Sequence, residues 1–257
     1  KGKAGGPREW IRTTKEIRAK HFDLAVLLPN SFESALTVWV AGIPERVGYR
    51  TDGRGLLLTR SVRPTAARQH QYRYYLRLVA ETFSTTVEPE LRIKATKDET
   101  ADARLLLEQA GIGADKSFLI VNPGAAFGGA KRWYEDRFAA VADRLANELD
   151  LEVAIIGSES ERAIGKSVRD HMKREAVVLS GQTNLGTLVG LLAEASLMVT
   201  NDSGPMHIAA ALGTPTVAVF GSTDAEVTSP VGPKTSIVRH AVDCSPCMLR
   251  ECPIDHR

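Results

Sequence analysis

The sequence predicts an α/β protein built from two doubly wound units, each with a parallel sheet covered by helices. Short apolar runs alternate with segments of helical periodicity along most of the 257 residues. The apolar runs are nearly continuous, which is typical of strands buried on both faces of a parallel sheet. The pattern dissolves over residues 84–98, so we expect a linker there and place the domain boundary between residues 95 and 96.

In the first half, a basic helix is expected over residues 8–20. The elements expected after it are a strand over 22–29, a helix over 34–41, a strand over 46–49, a turn at 52–55 and a helix over 71–83. Pro29 is expected to end the first strand, because proline cannot donate a hydrogen bond to a neighbouring strand. Gly42 is expected to end the helix over 34–41.

The second half is more regular. The strands expected there cover residues 118–122, 152–157, 177–179, 197–201 and 216–220, and the helices cover 99–110, 135–149, 159–173, 185–194 and 203–212. Ligands of such sheets bind beyond the carboxyl ends of the strands. The strand-to-helix junctions at residues 122–133, 157–161 and 200–207 are therefore the places to look for a site.

Composition excludes several classes of protein. Thirty-three Lys and Arg against 31 Asp and Glu give a net charge of +2, which excludes a strongly electrostatic nucleic-acid binder. The apolar runs are far shorter than the ~20 residues that span a bilayer, and the start lacks a signal-peptide pattern, so we expect a cytoplasmic location. The basic N-terminal helix has two interpretations: peripheral contact with an anionic membrane surface, or an ordinary solvated helix face.

The junction after the strand at 118–122 carries glycines followed by adjacent cations. Glycines such as Gly124 let the backbone approach a ligand, and Lys131 is placed to meet a diphosphate as a point charge. The order Gly-Lys-Ser/Thr of a P-loop is missing. A surface loop with ordinary turn glycines is the alternative.

The junction at residues 200–207 runs from a strand directly into a helix start. Unpaired N–H groups and the positive end of the helix dipole suit a phosphate there. Asp202 would repel a phosphate, so it is better suited to a sugar or ribose hydroxyl, and His207 lies one turn further on. The alternative is that Asp202 or Ser203 only caps the helix.

Two other groups of residues leave alternatives open. Glu159 or Glu161 can accept from ribose hydroxyls, or either can simply favour the first turn of a helix. Cys244, Cys247 and Cys252, with His256 nearby, can begin a metal site or remain free thiols, and we expect no metal.

Several of these segments together resemble a known family. The segments are Asn122-Pro-Gly-Ala, Ala130-Lys-Arg-Trp133, Thr200-Asn-Asp-Ser-Gly-Pro-Met-His207 and Val217-Ala-Val-Phe-Gly-Ser-Thr-Asp224. They are similar to the ADP-heptose:lipopolysaccharide heptosyltransferases, glycosyltransferase family 9. Leu28-Pro-Asn-Ser-Phe32 and the stretch from Gly42 to Tyr49 resemble the heptosyltransferase II branch.

The resemblance implies a GT-B architecture, in which two Rossmann-like domains face a cleft, with the acceptor on residues 1–95 and the ADP-sugar on 96–257. It implies inverting transfer of L-glycero-D-manno-heptose from ADP-heptose to heptosyl-Kdo-lipid A in a Gram-negative bacterium, without a cofactor. Lys131 and Asp202 would be catalytic. The donor-binding residues would be Asn122, Gly124, Lys131, Glu159, Asp202, Ser203, Gly204 and His207, and Asn30 and Ser31 would lie on the acceptor side.

The sequence begins at Lys1 and ends directly after a cysteine-rich stretch, so we expect a fragment with an incomplete N-terminal domain. The resemblance then places the general base in a missing N-terminal segment. Two alternatives follow: a non-catalytic fragment that binds a nucleotide sugar, or another GT-B enzyme such as a nucleotide-sugar epimerase.

Overall fold

The computed structural model describes residues 6–65, 67–86 and 90–254. The chain divides into two compact units, Lys1–Pro89 and Glu90–Arg257. His256, which the sequence places near the three cysteines, lies outside the described residues. Within those residues, no helix has the length and apolar character needed to cross a membrane.

The N-terminal unit has three parallel strands in the order β1-β2-β3. Its strands are β1 (Leu24–Leu27), β2 (Glu45–Tyr49) and β3 (Arg60–Val62), and its helices are α1 (Pro7–Ala19), α2 (Phe32–Val40) and α3 (Gln71–Phe83). A 3₁₀ turn at Arg54–Leu57 follows β2. One cluster of buried side chains packs α2 against β1, and a second lies between β2 and α3.

Helix α1 packs its apolar side chains against its own unit. Ile17 joins the cluster around α2, and the indole of Trp10 donates a 2.7 Å hydrogen bond to the Thr37 hydroxyl. Trp10, Ile11 and Ile17 are the apolar residues of α1 that could form a membrane-facing stripe. Of these three, Ile11 is exposed, with 47% of its surface accessible. The outer face of α1 carries Arg12, which pairs with acidic neighbours on the same helix, as in an ordinary solvated helix face.

The C-terminal unit has six parallel strands in the order β6-β5-β4-β7-β8-β9. The strands are β4 (Phe118–Asn122), β5 (Glu152–Ile155), β6 (Val177–Val178), β7 (Leu197–Asn201), β8 (Thr216–Phe220) and β9 (Thr235–Arg239). The helices are α4 (Lys97–Ala110), α5 (Glu135–Leu149), α6 (Arg162–His171), α7 (Leu185–Glu194), α8 (Gly204–Leu212) and α9 (Ala225–Thr228). The strand order reverses direction between β4 and β7, the switch point where doubly wound sheets bind ligands.

The central strand β4 is buried at every position because helices cover both faces of the sheet. Phe118 and Ile120 point into a core shared with α4, α7 and α8. Leu119 and Val121 point into the opposite core, which α5 and α6 complete. This arrangement explains why β4 reads as one continuous apolar run.

The structure corrects several expected elements. The expected helix over 159–173 is a 3₁₀ turn at Glu159–Glu161 followed by α6, and the first expected strand is shortened to β1. Strands β3 and β9 and the short helix α9 were not expected from the sequence. β3 has only three residues, and the outer strand β9 is largely exposed, so neither carries the apolar run of a central strand.

Helices α4 and α7 approach so closely that Gly190 is required where they meet. A Cβ at Gly190 would lie 2.0 Å from the backbone oxygen of Glu99. One turn earlier, a Cβ at Gly186 would meet the Glu99 side chain at 3.3 Å, and that flexible side chain can move.

We expect Gly190→Ala to lower the free energy of unfolding by about 1–3 kcal/mol, because the two backbones must separate. Gly186→Ala is the matched control, since it replaces a glycine of the same helix with the same residue. It should change stability by less than about 1 kcal/mol. Urea denaturation of both variants measures the difference, and equal losses would contradict the close-approach argument.

Candidate functional site

Three strand-to-helix junctions of the C-terminal unit meet at one edge of its sheet. β4 lies between β5 and β7, so the segments after these strands are neighbours. The Asn122 side chain at the end of β4 donates to Thr200 Oγ1 at 3.0 Å and to Ser203 Oγ at 2.8 Å. These contacts join the end of β4 to the start of α8.

A cavity of about 920 Å³ opens at this edge. All eight residues predicted to bind the donor line it: Asn122, Gly124, Lys131, Glu159, Asp202, Ser203, Gly204 and His207. Segments from three strand ends and from the loop before α7 form its walls. The volume fits a ligand of nucleotide size.

Lys131 and Asp202 form an ion pair in the wall of this cavity. Lys131 Nζ lies 2.6 Å from Asp202 Oδ2, and the two side chains are 14% and 5% exposed. Such shielding strengthens the attraction between the two charges, which water would otherwise weaken. Lys131, predicted to meet a diphosphate, is therefore paired here with Asp202, which was predicted to meet a sugar.

Thr223, which the sequence analysis did not assign, contacts the same carboxylate. Its buried hydroxyl donates to Asp202 Oδ2, the oxygen that also meets Lys131. Thr223 follows β8, the strand that pairs with β7. The signal was present in the sequence, because the segment Gly221-Ser-Thr-Asp224 is another junction at a strand's carboxyl end.

The alternative that Asp202 or Ser203 only caps α8 through its side chain is wrong. Ser203 occupies the N-cap position but makes no side-chain bond to the helix, because its hydroxyl accepts from Asn122 instead. Asp202 is engaged by Lys131 and Thr223. At the start of α8, Pro205 has no N–H and the Met206 amide donates to the Ser203 carbonyl at 3.2 Å, so the Gly204 amide is the one that remains available to an anion among these three residues. A Cβ at Gly204 would meet nothing within 4 Å, so a ligand has room to approach.

A buried asparagine fixes the loop that carries Lys131. Asn201 is fully buried, and its Nδ2 donates to the Pro123 carbonyl at 2.7 Å while its Oδ1 accepts from the Trp133 amide at 3.0 Å. One side chain thus holds both ends of the loop. The ring of Phe127 lies 5.0 Å from Lys131 Nζ, a favourable position for a cation over an aromatic face.

Residues 245–251 brace the two loops from the side. The amide of Ala130 donates to the Arg250 carbonyl at 2.9 Å, and the amide of Met248 donates to the Ser222 carbonyl at 2.8 Å. A Cβ at Gly128 would lie 2.2 Å from the Arg250 oxygen, so this contact requires glycine. We call residues 245–251 the C-terminal brace.

The two candidate ribose acceptors have different surroundings, although both line the cavity. Glu161 forms a capping box: its carboxylate accepts from the Ser158 amide at 2.8 Å and from the Ser158 hydroxyl at 2.7 Å. The same carboxylate lies against Gly124, where a Cβ would come within 2.3 Å. Glu159 pairs with Arg162 on the surface, and its side chain is 70% exposed.

The predicted acceptor-side residues lie in the N-terminal unit, just beyond β1. Ser31 is the N-cap of α2, and its hydroxyl accepts from the Ser34 amide at 3.3 Å. Asn30 donates to the Tyr74 hydroxyl at 2.9 Å and accepts from Arg54. Asn30 and Ser31 are exposed.

Cys244, Cys247 and Cys252 form no disulfide. They line a second cavity of about 600 Å³ beside β8 and β9. Among residues 6–65, 67–86 and 90–254, no group of three His, Cys, Asp or Glu side chains is arranged to hold a metal ion.

Comparison with known proteins gives consistent matches. Residues 10–257 match the family described as glycosyltransferase family 9 (heptosyltransferase). Lipooligosaccharide heptosyltransferase 2 of Haemophilus influenzae is 33% identical over 242 residues, which cover 89% of this chain and 68% of that protein. Lipopolysaccharide heptosyltransferase 2 of Escherichia coli is 33% identical over 233 residues, covering 87% of this chain and 66% of that protein. The chain thus spans about two thirds of the length of these relatives.

Solved structures show the same fold. The structure of Escherichia coli ADP-heptose LPS heptosyltransferase II matches with a TM-score of 0.78 and 30% identity, covering 91% of this chain and 73% of that one. A heptosyltransferase WaaC from Escherichia coli, solved with ADP, has a TM-score of 0.70 at 20% identity and covers 92% of this chain and 73% of that one. The expected α/β fold of GT-B type is confirmed by these likenesses. Since the family match extends over nearly the whole sequence and agrees with both comparisons, the chain belongs to glycosyltransferase family 9, the heptosyltransferases.

Proposed function

We propose that this chain transfers L-glycero-D-manno-heptose from ADP-heptose to heptosyl-Kdo-lipid A, with inversion, in the assembly of a lipopolysaccharide inner core. The observation that carries the proposal is the cavity of the C-terminal unit, where the uncapped start of α8 meets the Lys131–Asp202 pair. The names of the relatives supply the heptose and the lipopolysaccharide core.

The start of α8 would bind the diphosphate of the donor. A phosphate oxygen can accept a hydrogen bond from the Gly204 amide, and the dipole of α8 favours its negative charge. Gly204 leaves the space for this approach. Lys131, on the loop that Asn201 holds, would supply the positive charge on the other side of the diphosphate.

Asp202 would meet the sugar. Its carboxylate is buried at the cavity wall, where it can accept from heptose hydroxyls but would repel phosphate. Glu159, Asn122, Ser203 and His207 would complete the donor site, with Glu159 directed to the ribose. Glu161 is less suited to the ribose because Ser158 already donates to it twice.

The reaction would be a displacement at the anomeric carbon of the heptose. An acceptor hydroxyl oxygen forms the new bond to that carbon from one side and gives up its proton to a general base, while the bond to the β-phosphate oxygen breaks on the other side and ADP leaves. Negative charge grows on the departing phosphate. Lys131, the Gly204 amide and the dipole of α8 would stabilise that charge, and preorganised stabilisation of this kind is often the largest catalytic term.

The acceptor would meet the N-terminal unit, at Asn30 and Ser31. We place the reaction at the cytoplasmic face of the inner membrane of a Gram-negative bacterium. Any membrane contact through α1 would use its exposed cations Arg8, Arg12 and Lys15, because Trp10 and Ile17 pack inward.

Binding of nucleotides tests the donor assignment directly. We expect ADP to bind more tightly than UDP, and Lys131→Ala to weaken ADP binding at least tenfold, about 1.4 kcal/mol, because a cation beside the diphosphate is lost. Lys116→Ala is the matched control: it removes the same charge from an exposed position before the amino end of β4. Titration calorimetry measures all four affinities.

Tighter binding of UDP would indicate another GT-B enzyme, such as a nucleotide-sugar epimerase. Equal ADP affinities for Lys131→Ala and Lys116→Ala would remove Lys131 from the site. Binding of ADP-heptose without transfer to heptosyl-Kdo-lipid A would favour a non-catalytic nucleotide-sugar-binding chain.

Thr223 gives a second test of the same site. Its hydroxyl provides Asp202 Oδ2 with a hydrogen bond when Lys131 turns to the diphosphate. We expect Thr223→Val to weaken ADP binding by roughly three- to tenfold, because Asp202 would then depend on Lys131 alone and would hold it back from the diphosphate. This effect lies below the full value of a hydrogen bond to a charged group, about 1.5–3 kcal/mol. Thr223→Ser keeps the hydroxyl and should bind ADP as the wild type does. A valine variant with wild-type affinity would show that the hydroxyl has no part in donor binding.

A further inference from the structure

Arg54 is the largest fully buried side chain of the protein's described residues, and it lies beneath the loop that follows β1. Its exposed fraction is 0%. It enters the interior from the 3₁₀ turn after β2, where Asp52 and Gly53 both have left-handed backbone conformations. A long cation is rarely buried without a partner group that requires it.

The guanidinium of Arg54 binds four residues of that loop. Nη1 donates to the carbonyl of Pro29, to the carbonyl of Ser31 at 3.4 Å and to the hydroxyl of Ser34 at 3.2 Å. Nη2 donates to the side-chain oxygen of Asn30 at 3.3 Å. We call residues 29–34 the β1 loop; they comprise the connection after β1 and the first residues of α2. One rigid group thus sets the backbone of the loop at two carbonyls and also fixes the amide of Asn30.

The remaining contacts of Arg54 anchor it to the sheet. Nε donates to the Tyr49 carbonyl at 2.9 Å, at the end of β2. The guanidinium packs directly against Gly48 of β2. A Cβ at Gly48 would lie 3.2 Å from Nη2, so a larger residue there would crowd the guanidinium. The guanidinium is thus clamped between β2 and the β1 loop.

No carboxylate within the described parts of the chain forms an ion pair with Arg54. Its charge is balanced by carbonyl, amide and hydroxyl dipoles. Burial accordingly lowers the pKa of the Arg54 guanidinium from its ordinary value, while nearby Tyr74 and Asp52 raise it in part. A charge that only stabilised the fold would be better placed with a carboxylate partner, since an uncompensated buried charge is costly.

The β1 loop also has support that does not involve Arg54. The Phe32 amide donates to Asp52 Oδ2 at 2.8 Å, and the Thr51 hydroxyl donates to the Asn30 carbonyl at 3.2 Å. The Tyr74 hydroxyl meets Asn30, and the rings of Tyr74 and Tyr49 stack with their centroids 4.0 Å apart. Asn30 is therefore held on both sides, although it is exposed on the surface.

We propose that Arg54 is a positioning residue of the acceptor site: it holds the β1 loop so that Asn30 and Ser31 meet the acceptor in one fixed geometry. This inference rests on the proposed function, which places the acceptor at these two residues. Arg54 itself touches no acceptor, because it is fully buried. It acts through the carbonyls and the amide that it orients.

The test compares Arg54→Lys with Arg46→Lys. Arg46 is a matched control, because it also donates to several backbone carbonyls of the N-terminal unit, those of Ile43, Pro44 and Leu57, but none of these belongs to the β1 loop. Each lysine keeps the charge and loses the planar set of donors. Transfer of heptose is measured with varied heptosyl-Kdo-lipid A, and hydrogen exchange is followed at the amides of Phe32 and Ser34.

We expect Arg54→Lys to raise the acceptor KM about tenfold and to speed exchange at Phe32 and Ser34, since the loop loses fixed donors. Arg46→Lys should leave both quantities within about twofold of the wild type. Affinity for ADP, which binds the other unit, should be unchanged in both variants. Equal effects of the two substitutions, or an unchanged acceptor KM in Arg54→Lys, would overturn the proposal.

Ser34→Ala covers the case in which Arg54→Lys does not fold. It removes one acceptor of Arg54 and leaves the cation in place, so it should raise the acceptor KM by roughly threefold without changing ADP affinity. A wild-type KM in this variant would count against the proposal. If the wild type binds no ADP or transfers no heptose, the proposed function itself fails, and the role of Arg54 fails with it.

Discussion

The side chain of Asn201 is the contact on which the donor-side cavity depends. It is buried at the end of β7 and bonds to the backbone at both ends of the loop from Pro123 to Trp133. Because β7 is next to β4 in the sheet, the Asn201 side chain can reach the loop that follows β4. Asn122 then joins the same edge to α8 through Thr200 and Ser203. Two buried amides thus determine where the cation and the helix start are placed.

The ion pair of Lys131 and Asp202 makes sense in that setting. Two opposite charges in a shielded wall are stable together, whereas either alone would be costly there. In the proposed function, a diphosphate would draw Lys131 toward itself, and the Thr223 hydroxyl would keep one hydrogen bond to the Asp202 carboxylate. The carboxylate would then exchange the cation for this hydroxyl and the hydroxyls of the sugar.

Much of the fold could be predicted from the sequence, for a physical reason. β4, β7 and β8, together with α3, α5 and α7, have the predicted bounds, because central strands buried on both faces and long periodic helices carry strong patterns. β3 and β9 escaped prediction because short or exposed strands carry weak ones. The eight donor-side residues line one cavity because parallel strands bring their carboxyl ends to one edge, although their roles remain predictions. Arg54 was missed because its partners lie far along the chain, where no local pattern records them. Thr223 lies at a strand end that the sequence does show, but its contact with Asp202 depends on the pairing of β8 with β7.

The C-terminal brace has a consequence for how the protein can be altered. Residues 245–251 contact neither Lys131 Nζ nor the Asp202 carboxylate, yet their backbone holds the loops on which Lys131 and Thr223 sit. Cys247 lies within this segment. The segment can pack against residue 128 only because that residue is glycine, since a larger side chain would collide with the Arg250 backbone. Shortening the chain by a dozen residues, or attaching a bulky label to that thiol, would thus loosen the two loops, and with them the proposed nucleotide site, from outside the cavity.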